Sequence, residues 1–215
     1  MLQVYLVRHG ETEWNAARRI QGQSDSPLTE KGIFQAQQVA ERVRNEGITH
    51  VIASDLGRTK HTAEIIADAC GCQVVTEPRL RELHMGVLEA RNIDGLTAEE
   101  EIWRKQMVDG TPRGRIPEGE TMSELAARMR EALNNCLSLP AGSKPLLVSH
   151  GIALGCLIST ILGLPAYAER RLRLRNCSIS RVDYQQSDWL ASGWIVETAG
   201  DISHLDLPAL DELQR

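Results

Sequence analysis

Hydrophobic positions along this chain follow two alternating periods. Val4-Tyr5-Leu6-Val7 is a continuous apolar run, the pattern of a strand buried on both faces, and it stops at Arg8-His9-Gly10. Residues 18–27 are rich in turn formers and read as a loop. From Thr29, a candidate N-cap, the apolar residues Ala36, Val39, Ala40 and Val43 recur at helical spacing until Gly47. Ile48 to Ala53 predicts a second strand, Thr59 to Ala69 a second helix, and Val74-Val75 a short third strand before Pro78. From Leu80 the periodicity loosens, apart from an acidic helical piece between Thr97 and Met107. It returns in a helix from Ser123, read as its N-cap, to about Leu137. Pro145 to Val148 predicts a strand ending in Ser149-His150-Gly151, and Ile152 to Leu162 an apolar helix. Cys177 to Tyr184 and Trp194 to Val196 predict a closing pair of strands.

Strands alternating with helices imply an α/β fold with a mostly parallel central sheet. At 215 residues, with no low-complexity linker, the chain reads as one domain over residues 1–215, with a lid or insertion at about 83–121. Composition changes this picture only by exclusion. A net charge of −5 disfavours nucleic-acid and anionic-membrane partners, which need a basic footprint, and leaves room for a local anion pocket. Five cysteines without C-x-x-C spacing read as reduced thiols of a cytoplasmic protein. No stretch has the length of a signal peptide or a membrane span.

The chemistry concentrates where strands end. Val7-Arg8-His9-Gly10 and Val148-Ser149-His150-Gly151 share one construction, an apolar strand running into His-Gly. Adjacent parallel strands would bring both histidines to the sheet edge where α/β folds bind ligands. Glycine there would let a ligand approach the backbone. Arg58, past another strand and near a helix N-terminus that favours anions, could join them, or could be a surface ion pair. Two histidines and two arginines suit a phosphate better than a metal, and no metal or P-loop signature is present. Glu82 reads either as a catalytic acid or as the ion-pair partner of Arg79 or Arg81. The run Arg170 to Arg175 alternates like an exposed strand; with acidic overall charge, a solvated face near a pocket outweighs a nucleic-acid patch. His50, His61 and His204 lack motif context, and His84 has no assignable role.

Arg8-His9-Gly10-Glu11-Thr12 with Trp14-Asn15, Ser54-Asp55-Leu56-Gly57-Arg58-Thr59, Glu82 in Leu80-Arg81-Glu82-Leu83-His84-Met85-Gly86, and Val148-Ser149-His150-Gly151 resemble, in order, the histidine phosphatase superfamily. Within it the chain is similar to the cofactor-dependent phosphoglycerate mutase branch and its bacterial members. The resemblance implies a three-layer sandwich in which His9 is the nucleophile that forms a phosphohistidine. It also implies that Arg8, Arg58 and His150 hold the phosphoryl oxygens, that Asn15 and the backbone of Gln21-Gly22 add hydrogen bonds, and that Glu82 is the general acid. It extends the substrate-binding set to Lys60, Met85, Arg104, Lys105, Gly151 and Ile152, with no metal.

Departures from the mutase pattern bear on the outcome. Met85 stands where the mutases have a tyrosine, and Lys105 where they have a second arginine, a point charge in place of a bidentate fork. The segment after it is shorter and less proline-rich than the mutase lid. These changes favour hydrolysis of small phosphorylated metabolites of the 2- or 3-phosphoglycerate type, without cofactor. An efficient glycolytic mutase using 2,3-bisphosphoglycerate is the alternative, and a non-catalytic phosphate-binding module the reading from another class. The oligomeric state is left open.

Overall fold

The computed structural model describes residues 1–107, 109–186 and 193–206. Its strands are β1 (Leu2–Arg8), β2 (His50–Ala53), β3 (Val74–Thr76), β4 (Pro145–Ser149), β5 (Ile179–Tyr184) and β6 (Trp194–Asp201). Its helices are α1 (Glu13–Ala16), α2 (Glu30–Val43), α3 (Gly57–Cys70), α4 (Ala98–Gln106), α5 (Met122–Asn135) and α6 (Gly151–Ile161). The strands form a single sheet in the order β3-β2-β4-β1-β5-β6. β3, β2, β4 and β1 are parallel, and the closing pair β5-β6 adds antiparallel to β1.

Alternation along the strands divides the interior into two cores, which gives the three layers. Val4, Leu6 and Leu147 face Leu125, Met129 and Leu133 of α5 and Leu154, Leu157 and Ile158 of α6. Tyr5, Val7, Val51 and Val148 face Ala36, Val39 and Val43 of α2 and Ala63 and Ile66 of α3. Both sets are close to fully buried, as the period of two in a strand requires when each face carries a layer.

Two local readings change. Helix α5 starts two residues earlier than Ser123 predicts: Thr121 is its N-cap, closing a reciprocal box with Glu124, which is three residues on as that motif demands. Residues 170–175 form no strand. Leu172 and Leu174 turn into the core while Arg171 faces outward beside Glu169 at 2.6 Å, so the alternation reflects one wall of the molecule rather than a sheet. Segment 83–121 is packed down: Met85, Leu88, Met107 and Ile116 join the α5-α6 core, and Val87 N–H bonds the Pro117 carbonyl at 3.1 Å.

The opening motif also owes its path to packing. A Cβ on Gly10 would run into the carbonyl of Gly32, and one on Gly32 into the carbonyl of Glu11. The motif loop therefore rests backbone to backbone on the first turn of α2, a reason for Gly10 that the sequence reading had assigned to ligand approach. Gly32→Ala would raise intrinsic helix propensity by ~1 kcal/mol, yet it is expected to destabilise the protein by about 1–3 kcal/mol through overpacking. Urea denaturation checks this; stabilisation by the added methyl group would contradict the contact.

Candidate active site

Parallel pairing of β1 with β4, with Arg8 opposite Ser149, places the next residues of both strands side by side. The rings of His9 and His150 meet edge to face with centroids 5.2 Å apart. His9 is 3% exposed and lies in the wall of a cavity of about 570 Å³. Its Nδ1 lies 2.7 Å from the Gly10 carbonyl, which can only accept, so Nδ1 carries the proton and Nε2 keeps its lone pair. Burial, followed by the charges of Arg58 and Arg8, pushes the imidazole well below its ordinary value near 6.5. His9 is thus a neutral base at neutral pH, the form that attacks phosphorus.

Arg58, on the first turn of α3, is 1% exposed and nearly saturated. Nη1 donates to the Ser24 carbonyl at 2.7 Å and to Asp25 at 3.0 Å, Nη2 to the Gly22 carbonyl at 2.8 Å, and Nε to His150 Nδ1 at 3.2 Å. One Nη2 proton remains for a ligand. Burial lowers the guanidinium, and Asp25 partly offsets that. Asp25 also accepts the Gly57 and Arg58 N–H groups. It therefore occupies the helix N-terminus that the sequence reading had offered to a bound anion.

His150 differs from expectation. It is fully buried, does not line the cavity, and has both ring nitrogens engaged. Nδ1 accepts from Arg58, so Nε2 carries the proton and donates to Ser54 Oγ at 3.0 Å. Burial and the charge of Arg58 hold it neutral, well below the ordinary range. In this arrangement it aims Arg58 and backs His9, and does not itself reach the cavity.

Glu82 makes no ion pair with Arg79 or Arg81, which bind Glu77 and Asp55. Its carboxylate instead accepts N–H bonds from Ile152 at 3.0 Å and Ala153 at 2.9 Å, the second and third residues of α6. It caps a helix whose own N-cap, His150, supplies no side-chain cap, and so sits in the cavity wall that His9 also lines. Arg128 of α5 fixes its backbone, donating to the carbonyls of Arg79, Arg81 and Glu82 at 2.6–2.9 Å while paired with Glu120.

The cavity also brings together Arg8, Asn15, Gln21, Gly22, Met85, Arg104, Gly151 and Ile152. Asn15 Oδ1 accepts from Thr12 N–H and Asn176 Nδ2, which leaves its amide protons directed elsewhere. Arg104 is held in a two-pronged pair with Glu101 at 2.6–2.7 Å. Lys60 and Lys105 are exposed and outside the cavity lining. The sequence reading missed Asp25, Asn176 and Arg128, which carry no motif signature, and the contact of Ser54, a motif residue, with His150. It also missed the cavity residues Arg18 and Arg19, and it set the run Arg170 to Arg175 near a pocket without assigning Arg170 and Arg173 to the lining they join. Among the described residues no cluster of three or more His, Cys, Asp or Glu is arranged to hold a metal.

This geometry coincides with a known family. The model of the histidine phosphatase superfamily (branch 1) matches residues 4–197. The proteins named probable phosphoglycerate mutase GpmB of Serratia proteamaculans and Photorhabdus laumondii are 80% and 79% identical, each over 100% of both chains. Among solved structures, Bacillus stearothermophilus YhfR superposes with a TM-score of 0.87 at 28% identity, covering 95% of this chain and 99% of that one. A mycobacterial glucosyl-3-phosphoglycerate phosphatase bound to VO3 gives 0.78 at 26%, covering 93% and 99%.

The two imidazoles generate a direct test. Because folding lowers both, the unfolded chain takes up protons near pH 6.5 that the folded chain refuses. The stability tied to them is fully present above about 6.5 and falls as the pH drops below it. Imidazole NMR of the folded protein is expected to show both rings neutral down to pH 6, each as a single tautomer. A midpoint at or above 6.5 for either would contradict the geometry.

Proposed function

Since this chain belongs to the histidine phosphatase superfamily and is an enzyme of it, we propose that it transfers the phosphoryl group of small phosphorylated acids through a phosphohistidine at His9, with water as the favoured acceptor. The single observation that carries this is the His9 tautomer: an unprotonated Nε2 in the cavity wall, held there by the Nδ1–H bond to Gly10. In-line attack needs that lone pair and no prior deprotonation.

Charge stabilisation follows from the same wall. As phosphorus moves from the leaving oxygen to Nε2, negative charge spreads over three equatorial oxygens. Arg8, the remaining proton of Arg58 and the amide of Asn15 share the cavity lining with His9 and would meet those oxygens, and such pre-aimed donors supply most of the barrier lowering. Glu82, in the same lining, protonates the departing oxygen and then takes the proton of the incoming water as the phosphohistidine is hydrolysed. No metal enters this scheme.

Two sets of names bear on the acceptor. The relatives at 78–80% identity are named probable phosphoglycerate mutases, whereas two solved neighbours, from Shigella flexneri and from mycobacteria, are named phosphatases. Met85 and the diversion of Arg104 to Glu101 weaken retention of a phosphoglycerate between its two orientations, which supports hydrolysis. For the mutase outcome His9 must already carry phosphate when substrate arrives. 2,3-Bisphosphoglycerate supplies it when bound, and a cavity lined by eight Arg or Lys and two Glu residues fits such an anion, with Arg8, Arg58 and Asn15 holding one end.

Hydrolysis of p-nitrophenyl phosphate is expected to persist in excess chelator and to fall by at least ~10³ in His9→Ala, the scale on which a lost nucleophile acts. Glu82→Gln should slow alkyl phosphates about 10²-fold or more, and the activated aryl ester far less; equal losses would remove the acid from the scheme. Incubation with 3-phosphoglycerate should release free phosphate, and isomerisation dependent on 2,3-bisphosphoglycerate would instead establish the mutase.

A further inference from the structure

The cavity wall holds more positive charge than capture of one phosphoryl group requires, and the excess lies in one place. Of the basic residues lining it, Arg58 is paired with Asp25, Arg18 with Asp94, Lys31 with Glu11 and Arg104 with Glu101. Arg8 belongs to the phosphoryl pocket, and Arg19 lies 5.1 Å over the Trp14 ring. Arg170 and Arg173 form no ion pair among the described residues, although the chain as a whole is acidic.

These two guanidiniums are mounted, not loose. Leu172 and Leu174 anchor their segment in the core, Leu174 being 3% exposed. The Leu174 carbonyl accepts from Arg8 Nη1 at 2.7 Å, which ties the segment directly to the catalytic arginine. Arg170 and Arg173 are both solvent-exposed in the cavity wall, yet surrounding protein crowds the Arg170 guanidinium. That crowding lowers its guanidinium, Glu82 offsets the effect, and Arg8 and Arg173 add to it. Like charges gathered beside a reacting site at such a cost are relieved by a bound anion.

We infer that Arg170 and Arg173 form a second anion subsite, which seats a carboxylate or second phosphate on the substrate's end remote from the transferred phosphoryl group and thereby sets specificity. The inference rests on the phosphoryl-pocket reading above and goes beyond it in assigning the selecting residues. It moves selection away from the Arg104-Lys105 pair, since Arg104, though in the cavity wall, is engaged by Glu101, and Lys105 lies outside the lining. The segment also explains why an arginine-rich run persists in an acidic chain.

The test uses three ligands that differ only at the remote carbon: glycerol 3-phosphate, 3-phosphoglycerate and glycerol 1,3-bisphosphate. Binding is measured by calorimetry on the full chain carrying His9→Gln, so that nothing is turned over, with and without Arg170→Gln and Arg173→Gln together. In the parent, the doubly anionic ligands are expected to bind about tenfold or more tighter than glycerol 3-phosphate, the return from one charge-assisted hydrogen bond. The double variant should bring that ratio below about threefold while changing glycerol 3-phosphate binding less than about twofold. Which of the two ligands gains more separates carboxylate from phosphate as the remote group. A ratio near one in the parent, a ratio that survives the double variant, or an equal loss on all three ligands would overturn the subsite. If none of the three binds, the phosphoryl pocket itself fails and takes this inference with it. If the otherwise wild-type enzyme turns over p-nitrophenyl phosphate while the ratio is near one, only the subsite fails.

Discussion

A single buried cation organises this site. Arg58 is removed from water almost completely, so its charge and its five N–H donors must be met inside the protein. Meeting them draws the carbonyls of Gly22 and Ser24, the carboxylate of Asp25 and the ring of His150 onto one side chain. Three separate stretches of chain, the loop after β1, the start of α3 and the end of β4, are thereby registered on each other. The same charge, added to burial, keeps His9 and His150 unprotonated. The placement of His9 beside His150 and the neutral state of both rings thus share one electrostatic cause.

A second device repeats across the site. Two helices start with a residue that offers no side-chain cap, Leu56 before α3 and His150 before α6, and in each case a carboxylate from a distant loop does the work. Asp25 caps the first and Glu82 the second. In an α/β sheet these N-termini open towards the ligand-binding edge, and of the two capping carboxylates Glu82 lines the cavity. Glu82 is thereby held in the cavity wall by backbone donors, and Arg128 anchors the chain beneath it.

Much of this was legible in the sequence, for physical reasons. The buried strands read as continuous apolar runs because both faces are covered, and the paired His-Gly endings marked the sheet edge because parallel neighbours end together. What was illegible depends on where side chains turn once the chain is folded. Nothing in the spacing shows that Gly10 is needed for contact with Gly32, that Asp25 fills the α3 terminus, or that His150 spends both nitrogens on Arg58 and Ser54. Residues 170–175 looked like an exposed strand because leucine and arginine alternate there. The period is real, but Leu172 and Leu174 turn into the core, Arg171 faces outward and Arg173 lines the cavity. Lys60 and Lys105, which the resemblance adds to the substrate-binding set, lie outside the lining in space.

The central claim is that Nε2 of His9 receives the phosphoryl group. The most direct measurement is to quench the enzyme during turnover of a phosphate monoester in excess chelator, and then to locate the bound phosphate by mass spectrometry and ³¹P–¹⁵N correlation. The account predicts one acid-labile, base-stable phosphoramidate, on His9 and bonded to Nε2. Phosphate on Nδ1, on another residue, or on none while turnover proceeds would contradict it.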